Sequence, residues 1–490
     1  MGKKGYTTFQ WAIIVIGAIL CFLPKYFISF EGLSVSGVQV LFILIGGLLI
    51  WQCVGVDWSS LLVIFAMCFI PEMGPKTAFS SSMGNTTMIY LMLCFMLAAS
   101  LQKTGVADRL AKWFITNKFS RKGPWYLVAM MFIAIFVLAS GLSSSSTMLI
   151  FLPIFYGIFS VLGYKKEDKA AFPAIMVVSL IVVSQIAQAT TPISHAMTLI
   201  GMSTYNNYTG EVMDFAQYVG VCLPVGLVVF VLWFLVIKYV LKMDVSRLAN
   251  IDYDALNKDS KPLTKQEKIA AALYVICIIL WVLPGVSKYV FPALAPIFSK
   301  IDQCYPPLVA VLLLHFIRVD GEPVLPYKEG LAAVPWTTYM FGGTLLTLGS
   351  AIANADIGLQ VWIADVFGKI VENMSAGLFV VIMIILAVIL TNFLSNAVTI
   401  AICFAVAMPL VTTVFAGQIS PIVIAILITT GASYAFATAP ATPPAAIIAD
   451  SGWVESGKML KYGMIAAVIA VVCIATIGQA LAGVLCRYKN

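Results

Sequence analysis

Long apolar runs recur along this chain, separated by short polar segments, and each suits a helix crossing a bilayer, which takes about 20 residues. Such runs lie near 9–24, 35–54, 56–71, 86–103, 215–241, 267–284, 304–317, 335–353 and 459–485. Four further stretches break the pattern. Residues 124–164 and 373–418 each hold two apolar arms around a polar, small-residue centre, and residues 170–205 and 419–449 begin as spans and then break at Thr- and Pro-rich stretches. As one straight helix, residues 170–202 would be about 50 Å long against a hydrocarbon core of about 30 Å. A discontinuous helix is expected there, and broken backbone is tolerated at membrane depth only where it is buried in protein or lines a cavity.

Composition agrees with a polytopic membrane protein. Of 490 residues, 61% are hydrophobic and only 10% charged, with a mean hydropathy of +0.99. A soluble chain carries about 25% charged residues, so soluble enzymes, nucleic-acid binders and secreted disulfide scaffolds are excluded together. The net charge of +7 is an orientation signal rather than the mark of a polyanion partner. With about 11 crossings from an inside start, and each paired-arm region returning to its own side, 22 of the 29 Lys and Arg residues fall on the starting side. That places the N-terminus in the cytoplasm. Residues 124–164 and 373–418 could cross twice or dip in and out; either choice preserves sidedness. The ten cysteines are scattered in apolar runs and read as small apolar residues without a disulfide framework. Lys3 and Lys4 precede an apolar run with no small-residue cleavage site, so the first helix is expected to stay, in an integral, multi-pass protein of the plasma (inner) membrane.

An internal repeat organises the chain. LSSSST at 142–147 matches LSNAVT at 394–399, an offset of 252, and Thr191 in TTPISHA matches Thr442 in ATPPAA, an offset of 251. Upstream, Gly105 and Gly358 are 253 apart in similar surroundings. Five spans plus one paired-arm segment per half make the halves inverted. The expected boundaries are an N-terminal helix over 1–33, a first repeat over 34–242, a cytoplasmic linker over 243–266 and a second repeat over 267–490. Inverted repeats with interrupted helices at matching positions point to a secondary transporter with its site at the midplane.

The broken segments are almost bare of charge: residues 124–164 and 373–449 hold no Asp, Glu, Lys, Arg or His, and residues 170–210 hold only His195 of these types. Neutral groups must therefore hold any ion. Half-helix N-termini near Ser146, Ala196, Val398 and Ala445 would present N–H groups to an anion. Carbonyls near Ser140 and Thr391, with Ser, Thr and Asn oxygens, would suit a hard cation such as Na+.

These motifs resemble those of the divalent anion/Na+ symporter family (dicarboxylate, citrate and sulfate transporters) of the ion transporter superfamily, over nearly the whole chain. That family carries Ser-Asn-Thr at the tips of two re-entrant hairpins. Here the second tip reads Ser395-Asn396-Ala397, the second break Ala441-Thr442-Pro443-Pro444-Ala445, the first tip Ser143-Ser144-Ser145 and the first break Thr190-Thr191-Pro192-Ile193-Ser194-His195. The resemblance implies an all-α protein of about 11 transmembrane helices plus two re-entrant hairpins, at 124–164 and 373–418, in inverted repeats. It also implies a homodimer among membrane lipids and an elevator-type movement. The candidate substrate contacts are Ser144, Ser145, Thr191, Ser194, His195, Asn396, Ala397, Thr442 and Pro443. The candidate Na+ ligands are Ser140, Ser143, Ser144, Thr190, Thr391, Ser395, Asn396 and Thr438. The first tip lacks the motif's Asn, the second lacks its Thr, and Ala445 stands for the Asn of the second break. These departures bear on substrate identity more than on fold.

The expected function is secondary transport of a small organic anion, a di- or tricarboxylate, coupled to Na+. A Na+-independent exchanger or a proton-coupled carrier using His195 is the alternative, because intramembrane ionisable groups are costly and default to function. His195 also has a plain reading as a hydrogen-bonded packing residue, and Ser143–Ser146 as a close-packing stripe. A Na+/H+ antiporter lacks its midplane carboxylates, and paired hairpins argue against a channel. An intramembrane serine hydrolase with Ser140 and His195 gives no reason for a duplicated tip. Residues 106–118 read as an interfacial amphipathic arm.

Overall fold

Polar residues that interrupt the apolar runs cap the helices that follow them. In the computed structural model, which describes residues 5–193, 195–250, 262–298 and 300–486, the Thr7 hydroxyl accepts from the Gln10 backbone to open α1 (Thr8–Phe22), and Ser34 accepts from Gly37 to open α2 (Val35–Cys53). α3 (Trp58–Met67) takes up the run at 56–71, after which the chain turns at Pro71 and restarts at Gly74-Pro75 as the short α4 (Gly74–Ser81). α5 (Thr86–Thr104) is capped by Asn85 and ends at Gly105, whose φ of +84° turns the chain into α6 (Val106–Thr116). α6 buries Ala107, Ala111 and Ile115 at four-residue spacing while Trp113 is exposed, as an amphipathic arm requires.

α7 (Pro124–Gly141) and α8 (Ser144–Val161) form a helical hairpin that turns through Leu142 and Ser143. α9 (Ala171–Gln188) and α10 (Ala196–Thr209) are the halves of a broken helix, and α11 (Phe215–Leu235) runs on into a π-turn at Val236–Val240. Asp252, Asp254 and Asp259 of the expected linker lie outside the described residues. After α12 (Lys265–Val290) and α13 (Tyr305–Phe316) come two short strands that the hydropathy pattern did not announce. They are β1 (Arg318–Val319) and β2 (Glu322–Pro323), antiparallel about Asp320-Gly321, both at positive φ. α14 (Trp336–Ala353) leads to Gly358, at φ +74°, and α15 (Leu359–Val371). A second hairpin follows, α16 (Ala376–Phe393) and α17 (Asn396–Thr412), then a second broken helix, α18 (Pro421–Ser433) and α19 (Pro443–Asp450), and finally α20 (Ser456–Cys473).

Among the described residues, nine helical segments are long and apolar enough to cross a membrane, the arms α7, α8 and α16 included. The runs at 9–24, 56–71 and 304–317 give helices of 15, 10 and 12 residues, shorter than the expected spans, because prolines at 24, 71, 306 and 307 bound them.

The two broken helices are the buried axes. In α9 every residue from Phe172 to Gln188 is buried, and in α18 every residue after Pro421. α7 and α8 pack on α9, and α16 and α17 on α18, while α10 lies against α14, α17 and α18. Each hairpin tip stops level with a break: Ser144 meets Gln185 near the end of α9, and Thr391 meets Ala432 near the end of α18. Arg109 of α6 grips Glu267 of α12 with Nε–Oε1 and Nη2–Oε2 distances of 2.7 and 3.1 Å, tying the arm to the second half. All ten cysteines are free thiols.

Candidate functional site

Both tips and both breaks face one cavity of about 430 Å³. The Ser143 side chain accepts from the Ser146 N–H at 3.2 Å, and Ser395 accepts from Val398 at 3.3 Å, so each tip is closed by its own N-cap. The first-turn N–H groups of a helix have no intrahelical acceptor. In α8, α17 and α10 those groups belong to Ser144 and Ser145, Asn396 and Ala397, and Ala196 and Met197, all on the cavity wall. The fourth N-terminus corrects the sequence expectation at Ala445. Pro443 and Pro444 have no N–H, and Ala445 donates to the Thr442 hydroxyl at 3.3 Å, so the first turn of α19 offers an anion no donor.

Side chains subdivide the site. Ser144 Oγ lies 2.6 Å from Gln185 Oε1 and also touches Gln188 Oε1. Gln185 Nε2 donates to the Ala435 carbonyl at 3.2 Å, joining the first broken helix to the second break. In the second half, Thr391 Oγ1 lies 2.9 Å from Asn396 Oδ1 and touches the Ala432 carbonyl. Each group holds three oxygens and one hydroxyl proton. His195, 6% exposed, stands at the first break with Nε2 toward Asn396 Nδ2 and Nδ1 toward Thr198 Oγ1.

Of the sequence-derived substrate contacts, Ser144, Ser145, His195, Asn396, Ala397, Thr442 and Pro443 come together on the wall. Thr191 does not: its hydroxyl donates to the Ser140 carbonyl at 2.6 Å and braces the first tip from behind. Ser194 lies outside the described residues. Among the expected cation ligands, Ser143, Ser144, Ser395 and Asn396 line the cavity. Ser140, Thr190 and Thr438 instead satisfy the carbonyls of Phe136, Ala187 and Asn392, and Thr391 sits just behind Asn396. Ser140 and His195 have separate partners, so the pairing of a serine hydrolase is not built.

Sequence reasoning missed the amides. Gln185 and Gln188 on α9 and Gln102 on α5 face the cavity, and Gln102 Nε2 donates to Ser146 Oγ at 2.7 Å. Asn392 was missed too. Its amide donates to Val388 and Tyr434 carbonyls and accepts from Phe436 and Ala437 N–H groups, stitching the second hairpin to the second break. The available signal was an uncharged amide in a helix otherwise apolar, which a count of charged residues passes over.

Val56, Gln102, Ala333 and Pro335, at or beside helix ends, also line the cavity. Among the described residues the wall carries no Asp, Glu, Lys or Arg.

Known proteins resemble this chain in sequence and in fold. The sodium-dependent dicarboxylate transporter SdcS of Staphylococcus saprophyticus is 22% identical over 96% of this chain and 91% of its own length, and SdcS of Staphylococcus aureus is 23% identical over 96% and 92%. In three dimensions the YdaH transporter of Alcanivorax borkumensis, whose structure was described as having an unusual topology, superposes with a TM-score of 0.56 at 12% identity over 97% of both chains. That likeness speaks for the fold alone. The citrate transporter family model matches residues 40–429. With most of its length inside that match, a multi-pass helical architecture and a charge-free cavity at the helix breaks, this chain belongs to the citrate transporter family, whose members are membrane transporters and not enzymes.

Proposed function

We propose that this protein moves a small organic anion, a dicarboxylate being the best-supported class, across the plasma membrane together with Na+. The observation that carries the reading is one cavity, free of Asp, Glu, Lys and Arg among the described residues, whose wall includes the first-turn residues of two hairpin arms and of a broken-helix half. First-turn N–H groups favour anions without a fixed cation. The names of the SdcS relatives add weight for dicarboxylates and sodium.

Sodium fits the donor set. The oxygens of Ser144, Gln185 and Gln188, and those of Thr391, Asn396 and Ala432, outnumber their hydroxyl protons three to one in each half. A hard cation takes such oxygens as ligands. Ser143, Ser395 and the tip carbonyls would complete its shell. Na+ supplies the positive charge that a dianion needs in a site without Lys or Arg.

The working architecture is a pair of inverted repeats over 34–242 and 267–490, following a helix over 1–33 and joined by a linker over 243–266. In it, hairpins 124–164 and 373–418 re-enter from opposite sides among about 11 crossings. An elevator movement in a homodimer, with the N-terminus cytoplasmic, completes the proposal. The buried His195 beside Asn396 favours a second reading, a proton-coupled carrier or exchanger. Uptake of radiolabelled succinate into proteoliposomes decides between them. Uptake driven by an inward NaCl gradient and lost with choline chloride is expected. Uptake independent of Na+ and stronger at low external pH overturns sodium coupling in favour of His195.

A further inference from the structure

Resting on the reading of an organic-anion carrier, we propose that Thr338 is a specificity-determining residue, which recognises a hydroxyl on the carbon chain of the transported anion. Most polar side chains of the wall are engaged with one another or with their own helices. Gln102 donates to Ser146, Ser144 lies against Gln185 and Gln188, and Asn396 meets Thr391 and His195. Ser143, Ser395 and Thr442 cap the helices that they precede. Ser145 and Thr338 also line the cavity, and among the described residues neither hydroxyl has a hydrogen-bond partner.

Helix geometry turns Thr338 toward the cavity. Pro335, Thr338 and Phe341 follow at three-residue spacing and all line it, as neighbours on one face of a helix do. The Thr338 hydroxyl is free for a local reason. Further along α14, Thr344 donates to the Met340 carbonyl at 2.9 Å and Thr347 to the Gly343 carbonyl at 3.1 Å, each four residues back. Four residues before Thr338 stands Val334, ahead of the helix that begins at Trp336, and the hydroxyl makes no such bond there.

The two free hydroxyls are not equivalent. Ser145 stands in the first turn of α8, beside N–H groups that suit a carboxylate. Thr338 belongs to α14, which supplies neither a tip nor a break. A carboxylate only accepts hydrogen bonds, whereas a ligand hydroxyl both donates and accepts, and a threonine hydroxyl can answer either role. Thr338 therefore suits the group for which the tips are not built. An apolar residue in its place leaves a ligand hydroxyl without this partner, and one such hydrogen bond between uncharged groups is worth about 3- to 10-fold in affinity.

The test uses anions that differ by one hydroxyl, succinate and malate, as competitors of radiolabelled succinate uptake by the full-length protein in proteoliposomes under a NaCl gradient. In the unaltered protein malate is expected to compete at least as well as succinate. Thr338→Val, which removes the hydroxyl and keeps the shape, is expected to weaken malate relative to succinate by about 3- to 10-fold, and Thr338→Ser to restore the ratio. The same shift is expected between tricarballylate and citrate, which also differ by one hydroxyl. Ser145→Ala, by contrast, should weaken succinate and malate alike. A malate-to-succinate ratio that Thr338→Val leaves unchanged, or malate competing 10-fold less well than succinate in the unaltered protein, overturns the inference and leaves the anion reading standing. Failure of succinate uptake itself, with no effect of any of these anions, overturns the anion reading and the inference with it.

Discussion

Nε2 of His195 lies 3.5 Å from Nδ2 of Asn396, a contact between residues 201 apart that joins the first break to the second tip. On its other side the Asn396 amide has Oδ1 2.9 Å from Thr391 Oγ1, and His195 Nδ1 lies 3.4 Å from Thr198 Oγ1. The imidazole and the Thr391 hydroxyl hold the tip amide from two sides.

Asn396→Ala is expected to abolish transport while the protein elutes and melts as a folded species. His195→Leu leaves the Asn396 amide without its imidazole partner, a loss of about 1–3 kcal/mol, or roughly 10- to 100-fold in uptake. His195→Gln, which can present an oxygen near the position of Nε2, recovers much of it. Full uptake by Asn396→Ala would remove this residue from the site.

Ser144 is 2% exposed and shares one proton with two glutamine oxygens. If Na+ binds there, NaCl raises the apparent melting temperature relative to choline chloride by mass action, about 1–3 kcal/mol at tens to hundreds of times the dissociation constant. Ser144→Ala is expected to shrink that difference, whatever it does to the melting temperature in choline. Equal melting of the unaltered protein in both salts would refute a sodium site in the folded state.

Gly463 of α20 packs so closely on the second break that a Cβ would overlap the Ala437 backbone. Backbone cannot move aside as a flexible side chain can. Gly463→Ala is therefore expected to cost about 1–3 kcal/mol by overpacking and to lower transport by displacing the break. Gly457 on the same helix has open space around it, and Gly457→Ala should be neutral or stabilise by up to about 1 kcal/mol. Thermal melting of the two variants side by side separates crowding from a general intolerance of α20.

Lys169 reaches Glu455 at 2.5 Å across the connections that precede α9 and α20, and together with Lys458 it holds the Glu455 carboxyl below the ordinary carboxylate range. A depressed carboxyl stabilises the fold above its unfolded-state value and loses that contribution as pH falls through its folded-state value. Glu455→Gln should melt slightly below the unaltered protein at pH 6–8, and the two should converge below about pH 4. Both groups are exposed, so the gap is small and shrinks with salt. A difference that persists unchanged at pH 3.5 would show that the pair is not its source.

Much of this arrangement was legible because hydrophobicity and punctuation are local properties. Gly105 and Gly358 take positive φ at matching places because only a residue without Cβ turns cheaply out of a helix there. Ser143 and Ser395 cap α8 and α17 at the centres of the paired-arm regions, where polar residues stood between apolar arms. The cavity's amides were not legible in the same way. Gln102, Gln185 and Gln188 stand on two different helices, and a sequence scan for charge has no reason to group them. Thr191 shows the converse: its motif is the same as that of Thr442, yet one hydroxyl braces a tip and the other caps a helix.

By itself the sequence determined that this is a multi-pass helical membrane protein and where its helices break. It could do so because burial in lipid, the missing N–H of proline and the free backbone of glycine act through each residue and its neighbours. Tertiary structure alone decided that Asn396 meets His195, and that Gln185 and Gln188 meet Ser144. Those outcomes depend on which helix faces come together from distant parts of the chain, and the proton of a hydroxyl or an amide goes to whichever acceptor packing has brought within reach.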